Sequence, residues 1–68
     1  MDELAKRLIK LRKEKGLSQN ALAVQLGVSR SAIAGYETKG REPDIHMLIS
    51  LADFYNVSVD YLIGRTNE

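Results

Sequence analysis

The sequence predicts an all-α domain of five helices, on three observations. Apolar residues recur at helical spacing in successive stretches, and no strand pattern appears. Three pairs, Leu17-Ser18, Val28-Ser29 and Val57-Ser58, each put an apolar residue just before a serine N-cap. Leu22, Ile33 and Leu62 stand five residues after those apolar residues, the partner position of a hydrophobic staple. Gly16, Gly27 and Asn56 stand where periodic stretches stop.

The first helix is expected over residues 2–15. Asp2 and Glu3 in its first turn and Lys13 and Lys15 in its last complement the helix macrodipole. Leu4, Leu8 and Leu11 form its buried stripe, helped by Ala5 and Ile9. The second helix is expected over 19–26, with Leu22, Ala23 and Leu26 inward, and the third over 30–37, with Ile33 and Tyr36 inward. The segment 38–43, TKGREP, reads as a loop from its Gly and Pro. Asp44 caps a fourth helix over 45–55, whose buried face is read as Ile45, Leu48, Ile49, Leu51, Ala52 and Tyr55. A fifth covers 59–64, and residues 65–68 are expected to fray. A single domain thus spans 1–64.

A chain of 68 residues buries only about 60% of its unfolded surface, so its core is marginal without tight packing or a partner. There is no cysteine, which suits a reducing compartment. The acidic start MDELAKR lacks the apolar run of a signal peptide, and no stretch is long enough to span a membrane. A cytoplasmic location is expected. Net charge is only +1, but it is unevenly spread. Residues 1–41 hold nine Lys or Arg against four acids, and residues 42–68 hold one against five. The basic half is the one that can meet a polyanion; keeping a small protein soluble is the plainer reading of the same charges.

Two short helices separated by three residues, the first closed by a glycine that enters the left-handed region without steric cost, read as a helix-turn-helix. Ala23 is small enough to let the two approach. At this point the residues resemble a known family. GLSQ (16–19), LGVS (26–29) and YE (36–37), followed by a basic loop and Pro43, are similar to the lambda and 434 repressor and Cro-like helix-turn-helix domains, from about Leu8 to Gly64. The resemblance implies a five-helix, lambda-repressor-like fold and binding to double-stranded DNA.

Candidate contacts follow. Ser18 and Gln19 open the second helix, where free backbone N–H groups and a side-chain amide suit a phosphate. The resemblance implies that use for Gln19, while Ser18 also serves as a cap. The third helix would be the recognition helix. With Ile33 and Tyr36 inward, rotation turns Ser31, Ala34, Gly35 and Thr38 outward, with Arg30 on the flank. Arg30 and Ser31 lie in the first turn, where base edges are reached. Arg30 can pair with guanine O6 and N7, and Ala34 can touch a thymine methyl. A solvated Arg30 is the plainer alternative. Thr38, Lys39 and Arg41 are placed to grip phosphates. Gly35 leaves two readings open: close approach of a DNA backbone or partner, or a position that tolerates glycine. The small side chains at 34 and 35 favour some dependence on DNA shape.

The resemblance also implies an ion pair between Arg12 and Glu37 that orients the recognition helix, and a twofold contact made by the C-terminal helices. Val57, Val59 and Tyr61 are the apolar candidates for that contact. His46 has no second ligand at metal spacing, and no nucleophile, base and orienting acid are assembled. No cofactor, metal or enzyme activity is expected. The leading expectation is a sequence-specific regulator, a repressor that binds a pseudo-palindromic operator as a homodimer. The competing one is a protein-interaction module, such as a toxin-neutralising partner with secondary DNA binding.

Overall fold

The computed structural model describes residues 2–67. Five helices follow in order: α1 Asp2–Glu14, α2 Gln19–Leu26, α3 Arg30–Thr38, α4 Ile45–Tyr55 and α5 Val59–Leu62. The described residues contain no strand. The all-α, five-helix expectation is met.

Local chemistry starts each helix where the sequence places it. The hydroxyls of Ser18, Ser29 and Ser58 accept from the backbone N–H of Ala21, Ala32 and Tyr61 at 3.0, 3.1 and 2.9 Å. The Asp44 carboxylate accepts from Met47 N–H at 2.8 Å. Each bond satisfies one of the donors that a helix start leaves free, and such a cap is worth about 1 kcal/mol. Leu17, Val28 and Val57, the apolar residues before the serines, pack half-buried against the core.

Helix ends shift by a residue or two from the expected ones. At the end of α1, Leu17 N–H reaches back to the Arg12 carbonyl, which pulls Lys15 and Gly16 out of the helix into a turn. The end of α3 lies one residue later than expected, at Thr38, whose hydroxyl donates to the Ala34 carbonyl at 2.8 Å. Arg65 N–H closes α5 onto the Asp60 carbonyl, leaving Ile63 and Gly64 in the turn.

Leu4 and Leu8 of α1, Leu22 and Ala23 of α2, Ile33 and Tyr36 of α3, Leu51, Ala52 and Tyr55 of α4 and Leu62 of α5 share one core. Helix α3 packs on both α1 and α2, and α5 packs on α1 and α4. One expectation fails on α4. Ile45 and Ile49, read as buried, are 59% and 47% exposed. The inward stripe is Leu48, Leu51, Ala52 and Tyr55, and at about 100° per residue Ile45 and Ile49 lie roughly 70° and 110° off its centre. Hydrophobicity alone overstated the width of the buried face.

Beside α5, Arg7 of α1 donates to the carbonyls of Tyr61 and Thr66 and to the Asn67 side-chain oxygen. Its guanidinium carbon lies 4.3 Å from the centroid of the Tyr61 ring. Gly64 has φ +86° and passes so close to α1 that a Cβ there would stand 2.6 Å from Glu3 Cγ. Thr66 and Asn67, in the segment the sequence reads as frayed, therefore both meet α1; Glu68 lies outside the described residues. No helix of the described residues is long and apolar enough to cross a membrane.

Candidate nucleic-acid interface

The site is built on the junction of α1, α2 and α3. Glu37 sits one residue before the end of α3 and is 5% exposed, the one buried acid among the described residues. A buried carboxylate must be paired. Arg12 supplies a two-pronged partner: Nε donates to Glu37 Oε2 at 2.8 Å and Nη2 to Oε1 at 3.0 Å. Arg12 Nη1 donates to the Leu17 carbonyl at 2.8 Å, which ties the α1–α2 turn to the same point. The hydrogen bond and charge of Glu37 hold the Arg12 guanidinium above its ordinary pKa, against the opposing cost of burial.

Gln19, in the first turn of α2, completes the junction. Its amide nitrogen donates to Glu37 Oε1 at 3.1 Å, and its oxygen accepts from Arg30 Nη1 at 3.4 Å. Both partners force that orientation, because a carboxylate only accepts and a guanidinium only donates. The chain Arg12–Glu37–Gln19–Arg30 thus links the end of α1 to the first turn of α3. The amide that the family resemblance assigns to a phosphate is engaged within the protein. Ser18 is exposed at the same helix start.

The other predicted contacts divide in two. Arg30 and Ser31 are exposed in the first turn of α3, and Thr38, Lys39 and Arg41 are exposed at its far end, while Ala34 between them is half-buried. Gly35 does not face outward as expected: it is buried beneath Arg41. The α3 surface therefore presents polar groups at its two ends and small residues between. Val57 and Val59 are half-buried against the core, and Tyr61 lies under Arg7, so the three offer only edges to another molecule. Among the described residues the large exposed apolar side chains are instead Val24, Ile45 and Ile49. His46 is exposed, and no group of acids, His or Cys among the described residues could hold a metal ion.

From the sequence Tyr55 is only a core residue of α4. Its hydroxyl is buried with no hydrogen-bond partner among the described residues. Burial first, and the charge of Glu37 second, push its pKa up to about 12. Nothing in the sequence signals this, because an unpaired hydroxyl depends on which side chains surround it. The Glu3–Arg7 spacing, one helical turn, was the available hint to the role of Arg7.

Two short helices, joined by the Gln19–Glu37 hydrogen bond and tied to α1 by the Arg12–Glu37 ion pair, the second presenting an arginine in its first turn, define a helix-turn-helix domain. The sequence pattern of the helix-turn-helix family matches residues 8–62, and the chain belongs to that family. It is 40% identical over 62 residues to YobD and 45% identical over 62 residues to YqaE, both uncharacterised HTH-type transcriptional regulators of Bacillus subtilis (strain 168). It is 39% identical over 62 residues to the HTH-type transcriptional regulator ImmR of the same organism. Those alignments cover 91%, 90% and 91% of this chain but 55%, 53% and 49% of the relatives, so the chain spans about half their length.

Proposed function

We propose that this chain is the DNA-binding part of a cytoplasmic transcriptional regulator. It would bind a pseudo-palindromic operator as a homodimer and repress by excluding polymerase. The observation that carries the reading is the bracing of an exposed Arg30, through Gln19, onto the buried Arg12–Glu37 pair. An arginine that only solubilises the surface needs no such support. One aimed at a guanine edge does, because the fork must arrive in plane with O6 and N7. Ser31 and Ala34 would complete the base contacts. Ser18, Thr38, Lys39 and Arg41 would hold phosphates on either side, and Gln19 would act on Arg30 rather than on the backbone of the DNA.

One such helix covers about three or four base pairs, too few to select a site in a genome, and twofold symmetry doubles the reading surface. Half-sites would then lie about 34 Å apart. The twin contact would fall to the α4–α5 region, with the edges of Val57, Val59 and Tyr61.

The test is selection of bound duplexes from a random DNA pool, followed by salt titration on the enriched sequence. A palindromic motif is expected. Lys39 and Arg41 in both halves give a slope of log K against log salt of about −4, since neutral donors release no counterions. No enriched motif, or a slope shallower than about −2, would overturn the reading and favour a protein-interaction module.

A further inference from the structure

Helix α3 ends differently from the other four. The ends of α1, α2, α4 and α5 are closed by backbone bonds that span five residues, from Leu17 to Arg12, Val28 to Ala23, Val57 to Ala52 and Arg65 to Asp60. Each passes over a residue of positive φ: Gly16, Gly27, Asn56 and Gly64. At α3 the closure comes one residue later. Gly40 takes φ +70°, and Arg41 N–H reaches the Gly35 carbonyl at 3.1 Å, the same oxygen that accepts from Lys39 N–H at 3.1 Å. The loop therefore folds back along the helix instead of leaving it.

What lies against the helix is the aliphatic stem of Arg41. A Cβ built on Gly35 would stand 3.2 Å from Arg41 Cδ and 3.3 Å from Arg41 Cβ. The guanidinium carbon lies 5.4 Å from the centroid of the Tyr36 ring, while Arg41 as a whole stays exposed. Glycine inside a helix costs about 1 kcal/mol against alanine. The φ of Gly35 lies outside the left-handed range, so its backbone conformation does not ask for glycine. Its lack of a side chain is used for space, and the occupant of that space is Arg41.

We propose that Gly35 is a positioning residue for DNA binding. Its missing side chain seats the Arg41 stem on the recognition helix, so that the guanidinium meets the DNA backbone from a fixed place. An arginine carries much rotamer entropy, and ordering its stem during folding removes that cost from the binding step. The inference rests on the reading of Arg41 as a phosphate contact.

The experiment is a double-mutant cycle on a short random-sequence duplex at low salt, using the full chain with Gly35→Ala, Gly35→Gln, Arg41→Ala and the two double variants. A phosphate contact is read on any sequence, so no operator is needed. Arg41→Ala should weaken binding about tenfold per subunit, the range of a charge-assisted hydrogen bond. Gly35→Gln should lose nearly as much, and nothing further when Arg41 is already Ala. Gly35→Ala should lose only about twofold, since the stem need move only a few tenths of an ångström. Its thermal midpoint should hold or rise, because alanine is the better helix former. A Gly35→Gln variant that binds like the parent while Arg41→Ala does not would overturn the inference, as would losses that simply add. If Gly35→Gln does not fold, the Gly35→Ala loss must vanish in the Arg41→Ala background, or the inference fails. An Arg41→Ala variant of parental affinity would instead sink the phosphate reading itself.

Discussion

Arg7 and Arg12 lie five residues apart on α1, each paired with a glutamate, yet the junctions they hold are unlike. Arg12 meets Glu37 at 2.8 Å with side-chain exposures of 12% and 2%, across a separation of 25 residues. Arg7 meets Glu3 at 3.0 Å, but Glu3 is 50% exposed and lies one helical turn away. The first pair is a tertiary bond between a buried carboxylate and a half-buried guanidinium. In the second the carboxylate is a minor partner, and Arg7 acts mainly on the carbonyls of Tyr61 and Thr66 and on Asn67. An ion pair is thus poorly described by its distance alone. What matters is whether removing one partner strands the other away from water.

The largest effect should come from breaking the buried pair. Glu37→Ala leaves the Arg12 guanidinium without its carboxylate and should cost about 3–5 kcal/mol. In a domain of this size each kcal/mol moves the melting midpoint by about 4–8 °C, so calorimetry reads it directly. It should also release Gln19 and reduce base preference at the Arg30 position. A loss below about 1 kcal/mol would show that the junction is wetter than the packing implies.

Arg7→Ala comes next, at about 1–3 kcal/mol, because the half-buried carbonyls of Tyr61 and Thr66 lose a charged donor. Hydrogen exchange should show the effect concentrated at α5 and residues 65–67, with α3 protection little changed. Arg7→Lys should not restore the parent, since an ammonium can replace the one nitrogen that serves both the Tyr61 and Thr66 carbonyls but not also the two that reach Glu3 and Asn67. Equal loss of protection at α3 would merge the two junctions into one.

Tyr55→Phe tests the surroundings of the Arg12–Glu37 pair from the core side. Removing a buried hydroxyl without a partner should stabilise the fold by about 1 kcal/mol at neutral pH. The sign with pH is fixed by the raised pKa. Unfolded tyrosine ionises near about pH 10, while Tyr55 in the fold ionises near about 12. The folded state thus keeps a proton that the unfolded chain has lost, and stability falls as pH rises through that window. The Phe variant should show a shallower alkaline decline in urea melts. An unchanged decline would mean that the hydroxyl is not desolvated.

The smallest effect should be at Lys10–Glu14, a 4.0 Å pair with side chains 61% and 59% exposed. Lys10→Ala should change stability by less than about 0.5 kcal/mol. That control anchors the scale, since all three pairs contain the residues of α1.

By itself the sequence determined where each helix begins and most of the local events that a few neighbouring residues can settle, though the last turns of α1, α3 and α5 end a residue or two from where it put them. Serine at 18, 29 and 58 and aspartate at 44 cap their helices because the acceptor and the free N–H are three residues apart, whatever the rest of the chain does. Gly16, Gly27 and Asn56 reverse the chain for the same reason. The exposed Arg30 and Ser31 and the basic loop were likewise legible, because a solvated face only has to be polar. The Arg12–Glu37 pair, which is present, was reached through family resemblance and not through spacing. Tertiary structure alone decided the rest: that Gln19 turns its amide inward, that Gly35 lies beneath Arg41, that Ile45 and Ile49 stay outside the core, and that Tyr55 buries an unpaired hydroxyl. Gly35 and Arg41 are only six residues apart, but how the loop between them folds back is not set by either residue alone; the other cases are contacts between residues far apart in sequence, or the lack of one. Helical period fixes which residues share a face, but only the packing of one helix against another fixes how much of that face is covered.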